Sequence, residues 1–395
     1  MSDLRWPDAG VSRIPYWVYT DQEIYEREQA RIFRGPSWSY VALACEIPNA
    51  GDFVRTSVGE TPVVVVRDRD GEVRCVVNRC AHRGAMFCRD PHGNTTKFEC
   101  PYHQWTYTLD GRLVGVPFEK GRNGEGGMPT DFDVTCNGLE TLRVAERHGV
   151  VFASFADDIE PFDDYLGEEM LGWFDRVFDG RELRLLGYMR QRLPCNWKLM
   201  FENIKVAYQA TLRLVFLVSF GLFRADNPSS SRMDKTGRHS VLVSQRGKSL
   251  DGGLVLNDPS LLTPVKEFDG PATVVMQTLW PNLIVQQQSN TLAMRQMVPR
   301  GPSAHDLHWT FFGYADDSDE MTQIRLRQAN LMGPAGFVSI DDGEVMRLSQ
   351  DGVSVDVSRA GVAEMGGRDT DDADHMLTEG AIRAFYEHYR DVMGL

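Results

Sequence analysis

Four residues carry the clearest chemistry in this chain: Cys80 and His82, then, after seventeen intervening residues, Cys100 and His103. Each of two short segments supplies one thiol and one imidazole. Two thiolates on one iron and two imidazoles on the other suit a two-iron, two-sulfur cluster, and neutral imidazoles raise its reduction potential over that of an all-cysteine cluster. Zinc also accepts two Cys and two His, but zinc fingers present the paired Cys first and the paired His later. Arg83-Gly84 after the first pair and Gln104-Trp105 after the second add to the specificity of the pattern. The other five cysteines, Cys45, Cys75, Cys88, Cys136 and Cys195, are expected to be buried apolar thiols.

These ligands need a scaffold, and the surrounding sequence reads as a small antiparallel β domain. Runs 62–67 and 72–78 flank Asp68-Arg69-Asp70-Gly71, and runs 106–109 and 113–116 flank Asp110-Gly111, two hairpin signals. Before them, Thr20-Asp21-Gln22-Glu23 looks like a capping box opening a helix that runs through Phe33. After an acidic stretch at 157–169 the texture becomes α+β. Helices are expected near 161–178, 196–212, 319–332 and 375–392, and strands near 184–193, 239–246, 273–279, 283–289, 292–298 and 307–314. The expected division is a helical N-terminal segment (1–37) packed on the last domain, a cluster domain (38–156) and an α+β domain (157–395).

With 395 residues the chain can bury a sizeable core, and its formal net charge of −14 disfavours nucleic acid while leaving a basic redox partner open. The first ten residues lack a basic run followed by an apolar one, so no signal peptide is expected. Leu214 to Phe223 is the most apolar stretch but is half the length of a membrane span, and reads as a buried helix. An odd cysteine count without a secretion signal points to a cytoplasmic protein with no membrane association.

Cys80-Ala-His-Arg-Gly and Cys100-Pro-Tyr-His-Gln-Trp, with Asn196-Trp197-Lys198, Glu202-Asn203 and the run 336–344, resemble the large (alpha) subunits of Rieske non-haem iron ring-hydroxylating oxygenases. The resemblance runs nearly the whole chain, and its flavour is that of members acting on aromatic carboxylates such as salicylate or terephthalate. It implies an α+β chain: a small antiparallel β Rieske domain, and a helix-grip (START-like) domain with an antiparallel sheet and long helices. It also implies homotrimers, sometimes with a small beta subunit, fed electrons by a ferredoxin or flavin reductase. In such proteins two His and one carboxylate hold a single Fe(II) with positions open to oxygen. An Asp three residues before the first His bridges to a Rieske His of the neighbouring subunit.

Here the frame holds and the chemistry departs from it. Val206 stands where the resemblance calls for the bridging Asp, Gln209 at the first His and Leu214 at the second. Leucine has no donor atom, and a neutral amide is a poor replacement for imidazole on Fe(II). Asp342, or failing it Asp341, is the carboxylate that remains; Asn203 and Tyr208 are expected to pack near the emptied site. Arg213 would need a partner if it faces the cavity, and Asp342 or Asp341 is a candidate. His148, His239, His305, His308, His375 and His388 do not follow Glu202-Asn203 at a useful spacing, and His305 and His308 read as a solvated loop before a strand.

The leading expectation is therefore an alpha-type subunit that binds [2Fe-2S], holds mononuclear Fe(II) weakly or not at all, and does not hydroxylate by itself. An active aromatic hydroxylase with unusual iron ligands is one alternative. An electron-transfer or structural partner of an intact alpha subunit is the other.

Overall fold

The computed structural model describes residues 4–206, 208–212, 224–245, 258, 261 and 264–395. The chain divides into two units, Phe33–Ile159, and Met1–Ile32 together with Glu160–Leu395. Arg213 and Leu214, and the apolar run 214–223, lie outside the described residues.

In the larger unit the chain begins with a short strand, β1 (Arg13–Pro15), and a helix, α1 (Gln22–Glu28). The helix cap is Asp21, not Thr20: its carboxylate accepts from the Ile24 N–H at 2.9 Å. The α-helix also stops earlier than expected, passing into a π turn over Gln29–Phe33.

The smaller unit is built on a seven-stranded antiparallel sheet. Its strands are β2 (Ser39–Leu43), β3 (Asp52–Val58), β4 (Thr61–Arg67), β5 (Val73–Val77), β6 (His92–Asn94), β10 (Thr141–Arg147) and β11 (Val150–Ser154), in the order β2-β11-β10-β5-β4-β3-β6. A three-stranded sheet, β7 (Phe98–Glu99), β8 (Thr106–Tyr107) and β9 (Leu113–Gly115), stands apart from it. Both expected hairpins form. Asp68 organises the first by accepting from the N–H groups of Asp70 and Glu72 and from Arg74 Nε, while Gly71 takes the φ of +87° that the turn requires.

The larger unit continues with α2 (Phe162–Val177), broken at Gly167, and a seven-stranded antiparallel sheet in the order β12-β18-β17-β16-β15-β14-β13. The strands are β12 (Leu183–Leu193), β13 (Ser229–Met233), β14 (Ser240–Ser244), β15 (Val274–Leu279), β16 (Leu283–Gln288), β17 (Thr291–Pro299) and β18 (His305–Tyr314). Helix α3 (Trp197–Lys205) packs on β14, β15 and β17. A single turn, α4 (Gln209–Leu212), follows it, and α5 (Asp319–Met332), α6 (Phe337–Val353) and α7 (Gly380–Met393) complete the helices among the described residues. Strand β19 (Ala360–Val362) pairs with β1. This is the α+β, helix-grip arrangement, and no helix among the described residues is long and apolar enough to cross a membrane.

Three expectations fail for physical reasons. The helix expected over 196–212 ends at Val206, whose φ and ψ of −109° and 109° are extended. His305 opens β18 and is buried, with Nδ1 2.8 Å from the Cys195 carbonyl, so it is a packed strand residue and not part of a solvated loop. Among the five spare cysteines Cys75, Cys88 and Cys195 are buried, Cys45 is half-buried and Cys136 is exposed.

Aromatic rings of α3 and α7 meet at the core: Phe201 stacks on Phe385 at 5.6 Å, and Trp280 reaches Phe385 edge-on at 5.4 Å. Into this core the sequence places a buried ion pair, Glu28 with Lys198. The carboxylate also accepts from Trp197 Nε1 at 2.8 Å and from the Tyr389 hydroxyl at 2.6 Å. Replacing Lys198→Met should leave that carboxylate without its cation and destabilise the chain by about 3–5 kcal/mol. Thermal unfolding checks this, and an unchanged midpoint would mean that the pair is not what holds α1 to α3.

Candidate functional site

The two ligand loops of the smaller unit are copies of one turn. The Cys80 N–H donates to the Ala85 carbonyl at 2.9 Å, and the Cys80 carbonyl accepts from the Gly84 N–H at 2.9 Å. The Cys100 N–H donates to the Trp105 carbonyl, and the Cys100 carbonyl accepts from the Gln104 N–H, at the same two distances. Each turn needs a left-handed residue four positions after its cysteine, which is Gly84 at φ +73° in one and Gln104 at φ +56° in the other. Gly84 takes that conformation freely, whereas Gln104 is strained by on the order of 1 kcal/mol or more. Buried Asn78 staples the base of the first loop, accepting from the N–H groups of Phe87 and Cys88 and donating to the Cys88 carbonyl at 2.7 Å.

These turns bring all four sequence-predicted ligands together. Cys80 and Cys100 are buried and within hydrogen-bonding reach of each other. The rings of His82 and His103 lie 4.6 Å apart. Trp105 stacks flat on His82 at 4.8 Å and Tyr102 on His103 at 3.8 Å, which fixes both imidazole planes. The Nδ1 atoms of His82 and His103 are buried and have no hydrogen-bond partner. Two adjacent orphaned nitrogens beside two thiols are what a [2Fe-2S] cluster would satisfy, so the residues fit the group. When bound, it supplies one-electron transfer.

Tyr107 is a residue that the ligand pattern alone did not single out. Its hydroxyl oxygen accepts from the Ala81 N–H at 3.1 Å and lies 3.1 Å from Cys80 Sγ. A cluster-bound thiolate only accepts, so the hydroxyl must donate to it.

The second constellation lies in the larger unit, in a cavity of about 70 Å³ lined by Asn203, Val206, Gln209, Gln286, Gln288, Arg295, Ser339 and Asp342 among others. Helix α3 leads into it. Asn196 caps α3 by accepting from the Lys198 N–H at 3.0 Å, and the Glu202 carboxyl takes hydrogen bonds from Tyr19 and Tyr386. Desolvation pushes that carboxyl up to about 7. Val206 is buried at the end of the helix. Gln209 folds back so that its Nε2 donates to the Asn203 carbonyl at 2.8 Å and to Asn203 Oδ1 at 2.6 Å. Tyr208 points elsewhere, donating to Glu379 at 2.9 Å. Asp342 sits on the inward face of α6 with Val338, Ser339 and Met346, whereas its neighbour Asp341 is half-buried and does not line the cavity. Among the described residues lining this cavity, Asp342 is the one His, Cys, Asp or Glu.

The cation facing Asp342 comes from β17. Arg295 is buried and lies over the Trp309 ring at 4.2 Å; burial pushes its guanidinium down to about 10, opposed by the charge of Asp342. Arg295 was missed in the sequence, although an arginine inside Leu292-Ala-Met-Arg-Gln-Met-Val298 is a signal, because a strand buried on both faces gives a charge no place in water.

Both regions have known relatives. Residues 37–136 match the Rieske [2Fe-2S] domain family, and residues 178–395 match the ring hydroxylating alpha subunit (catalytic domain) family. The chain therefore belongs to the ring-hydroxylating oxygenase alpha subunits. It is 50% identical to the large oxygenase component of salicylate 5-hydroxylase from Ralstonia sp., over 99% of this chain and 97% of that one. It is 44% identical to the anthranilate 1,2-dioxygenase large subunit of Burkholderia cepacia, over 100% of this chain and 96% of the relative. The fold matches that of naphthalene 1,2-dioxygenase from Rhodococcus sp., with a TM-score of 0.80 and 24% identity over 96% of this chain and 94% of that one.

Replacing Tyr107→Phe should lower the cluster's reduction potential by on the order of tens of millivolts, because a hydrogen bond to sulfur favours the more negative reduced state. Iron and sulfide content should not change. Protein-film voltammetry reads the shift, and an unmoved potential would remove Tyr107 from the electronic environment of the cluster.

Proposed function

We propose that this chain is an alpha-type subunit that carries the Rieske cluster and binds an aromatic carboxylate beside Asp342, but does not retain mononuclear Fe(II) and does not hydroxylate by itself. The observation that carries this reading is the arrangement of Gln209. Where the resemblance calls for an imidazole, the amide turns both donor contacts onto Asn203, which ties it into the end of α3. Val206, three residues earlier, presents only methyl groups. Asp342 then offers one carboxylate, with an amide oxygen as the next best donor, and Fe(II) prefers imidazole with carboxylate. The donor set does not fit a resident iron, so no step is derived through one.

The carboxylate part of the proposal rests on Arg295, a buried cation whose Nε has no hydrogen-bond partner. Relatives named for salicylate, anthranilate and terephthalate support an anionic aromatic ligand. Electrons would come from a ferredoxin or flavin reductase, and the assembly would be a homotrimer, with or without a small beta subunit. The second reading, an active hydroxylase with unusual iron ligands, is favoured by the 50% identity to a salicylate 5-hydroxylase component.

Iron and acid-labile sulfide counted on anaerobically purified protein separate the two. About two irons to two sulfides, with a Rieske-type EPR signal on reduction, is the expected result; a third iron would support the active reading. The combined replacement Val206→Asp, Gln209→His and Leu214→His should recover the third iron, and a triple variant still without it would place the defect elsewhere. Arg295→Met should weaken benzoate binding by about tenfold or more, as expected for loss of a charge-assisted hydrogen bond. Isothermal titration calorimetry reads this, and unchanged affinity would take the carboxylate away from Arg295.

A further inference from the structure

One wall of the Asp342 cavity carries a chain of side-chain hydrogen bonds whose direction is set from one end. Arg295 Nη1 donates to Gln286 Oε1 at 3.2 Å, and Gln286 Nε2 donates to Gln288 Oε1 at 3.2 Å. An amide can ordinarily be turned end for end. Here it cannot, because a guanidinium has donors and no acceptor. Gln286 must give it the oxygen, which leaves the Gln286 NH2 for Gln288. Gln288 must answer with its own oxygen, so its NH2 is the free end of the relay. That amide nitrogen makes no hydrogen bond to the described residues, and Gln288 lines the cavity.

The strand register explains why the three side chains share a face. Gln286 lies opposite Ala293 across β16 and β17, and Arg295 is two residues beyond Ala293, the diagonal position. Gln288 is two residues beyond Gln286 and points the same way. Opposite Gln288 on β15 is Val274, and opposite Gln286 is Met276, both lining the same cavity. The sheet wall therefore offers donors at two places, joined through the Gln286 amide. Gln288 is four residues along β16 from Ile284, the residue opposite Arg295, so the two backbone positions stand roughly 13 Å apart and the long side chains reach toward each other through Gln286. Of the polar groups on the other walls, Asn203 Oδ1 is taken by Gln209, and Ser339 Oγ donates to the Met332 carbonyl at 3.0 Å.

We propose that Gln288 is a specificity-determining residue: its NH2, aimed by Gln286 and Arg295, donates to an acceptor substituent on the ring of an aromatic carboxylate held at Arg295. Gln286 is the positioning residue of the relay. The inference rests on the carboxylate reading above and goes beyond it by assigning the polarity of a second contact. It favours ring substituents that accept, such as nitro or a second carboxylate, over those that mainly donate, such as amino.

Calorimetry on the full chain with benzoate and the three isomers each of nitrobenzoate and aminobenzoate tests this without turnover. The wild type should bind at least one nitrobenzoate about fivefold tighter than the matching aminobenzoate, the contribution of one neutral hydrogen bond. Gln288→Leu should abolish the difference. Gln286→Glu puts acceptors at both ends of that side chain, so Gln288 must turn its NH2 inward and its oxygen to the cavity; the preference should invert toward aminobenzoate. Far-UV circular dichroism and thermal unfolding verify that each variant folds. Benzoate binding that depends on Arg295, with a nitro-over-amino preference that neither variant moves, overturns the relay and leaves the carboxylate reading standing. No binding of any benzoate to the wild type overturns both.

Discussion

A buried imidazole nitrogen without a hydrogen-bond partner is unfavourable, and two of them side by side are more so. The smaller unit is arranged around that constraint. Trp105 and Tyr102 stack on His82 and His103 and hold the planes of both rings, while the Nδ1 atoms lie buried. The cysteines cannot retreat, because each is closed into the same hydrogen-bonded turn. Asn78, the Gly84 and Gln104 backbones and the separate three-stranded sheet all serve to present four donor atoms at one place. The unit is therefore organised for a group that completes its polar contacts.

The larger unit solves a different problem, that of holding charge away from water. Glu28 and Lys198 neutralise each other among Trp197 and Tyr389. Arg325 is held between Glu267 and Asp317. Arg295 differs from both. Its acceptors are an amide oxygen and, more weakly, the Met200 sulfur, and the opposing charge that acts on it is Asp342, which lines the same cavity. A cation left with an open donor beside a cavity is poorly justified by stability alone. It is readily understood as half of a binding contact.

Much of this was legible in the sequence, and the reason is chemical spacing. Cys80, His82, Cys100 and His103 act through atoms that short loops must present, so their positions in the chain carry their roles. The strands from Leu183 to Tyr314 other than β13 were legible through β-branched runs and turns, and lie within a few residues of their expected limits; β13, the polar run Ser229-Ser-Ser-Arg-Met233, was not expected. Helix α6 was not, because Gly343 and Gly352 interrupt its helical character. A Cβ at Gly343 would stand 3.3 Å from the Leu193 side chain, which would have to give by a few tenths of an ångström to admit it. Arg295, Gln286 and Gln288 were also hidden. Their meaning comes from register between β16 and β17, which no local pattern encodes. A cation for Asp342 was sought in Arg213, which precedes the apolar run and lies outside the described residues; the cation that the strands place on the cavity wall is Arg295.

The departures at Val206 and Gln209 show how separable frame and chemistry are in this architecture. Asn196 still caps α3, Glu202 still accepts from two tyrosines, and the rings of Trp197, Phe201 and Phe385 still pack. None of these contacts passes through the side chains of Val206 or Gln209. A valine at the end of α3 is buried there without a polar group that needs a partner. A glutamine at 209 even satisfies the carbonyl of Asn203, which the interrupted helix leaves open. Fold stability thus places little constraint on the positions where the family's iron chemistry resides. The hydrogen bonds along the β16 and β17 wall, from Arg295 through Gln286 to Gln288, likewise do not pass through those two side chains.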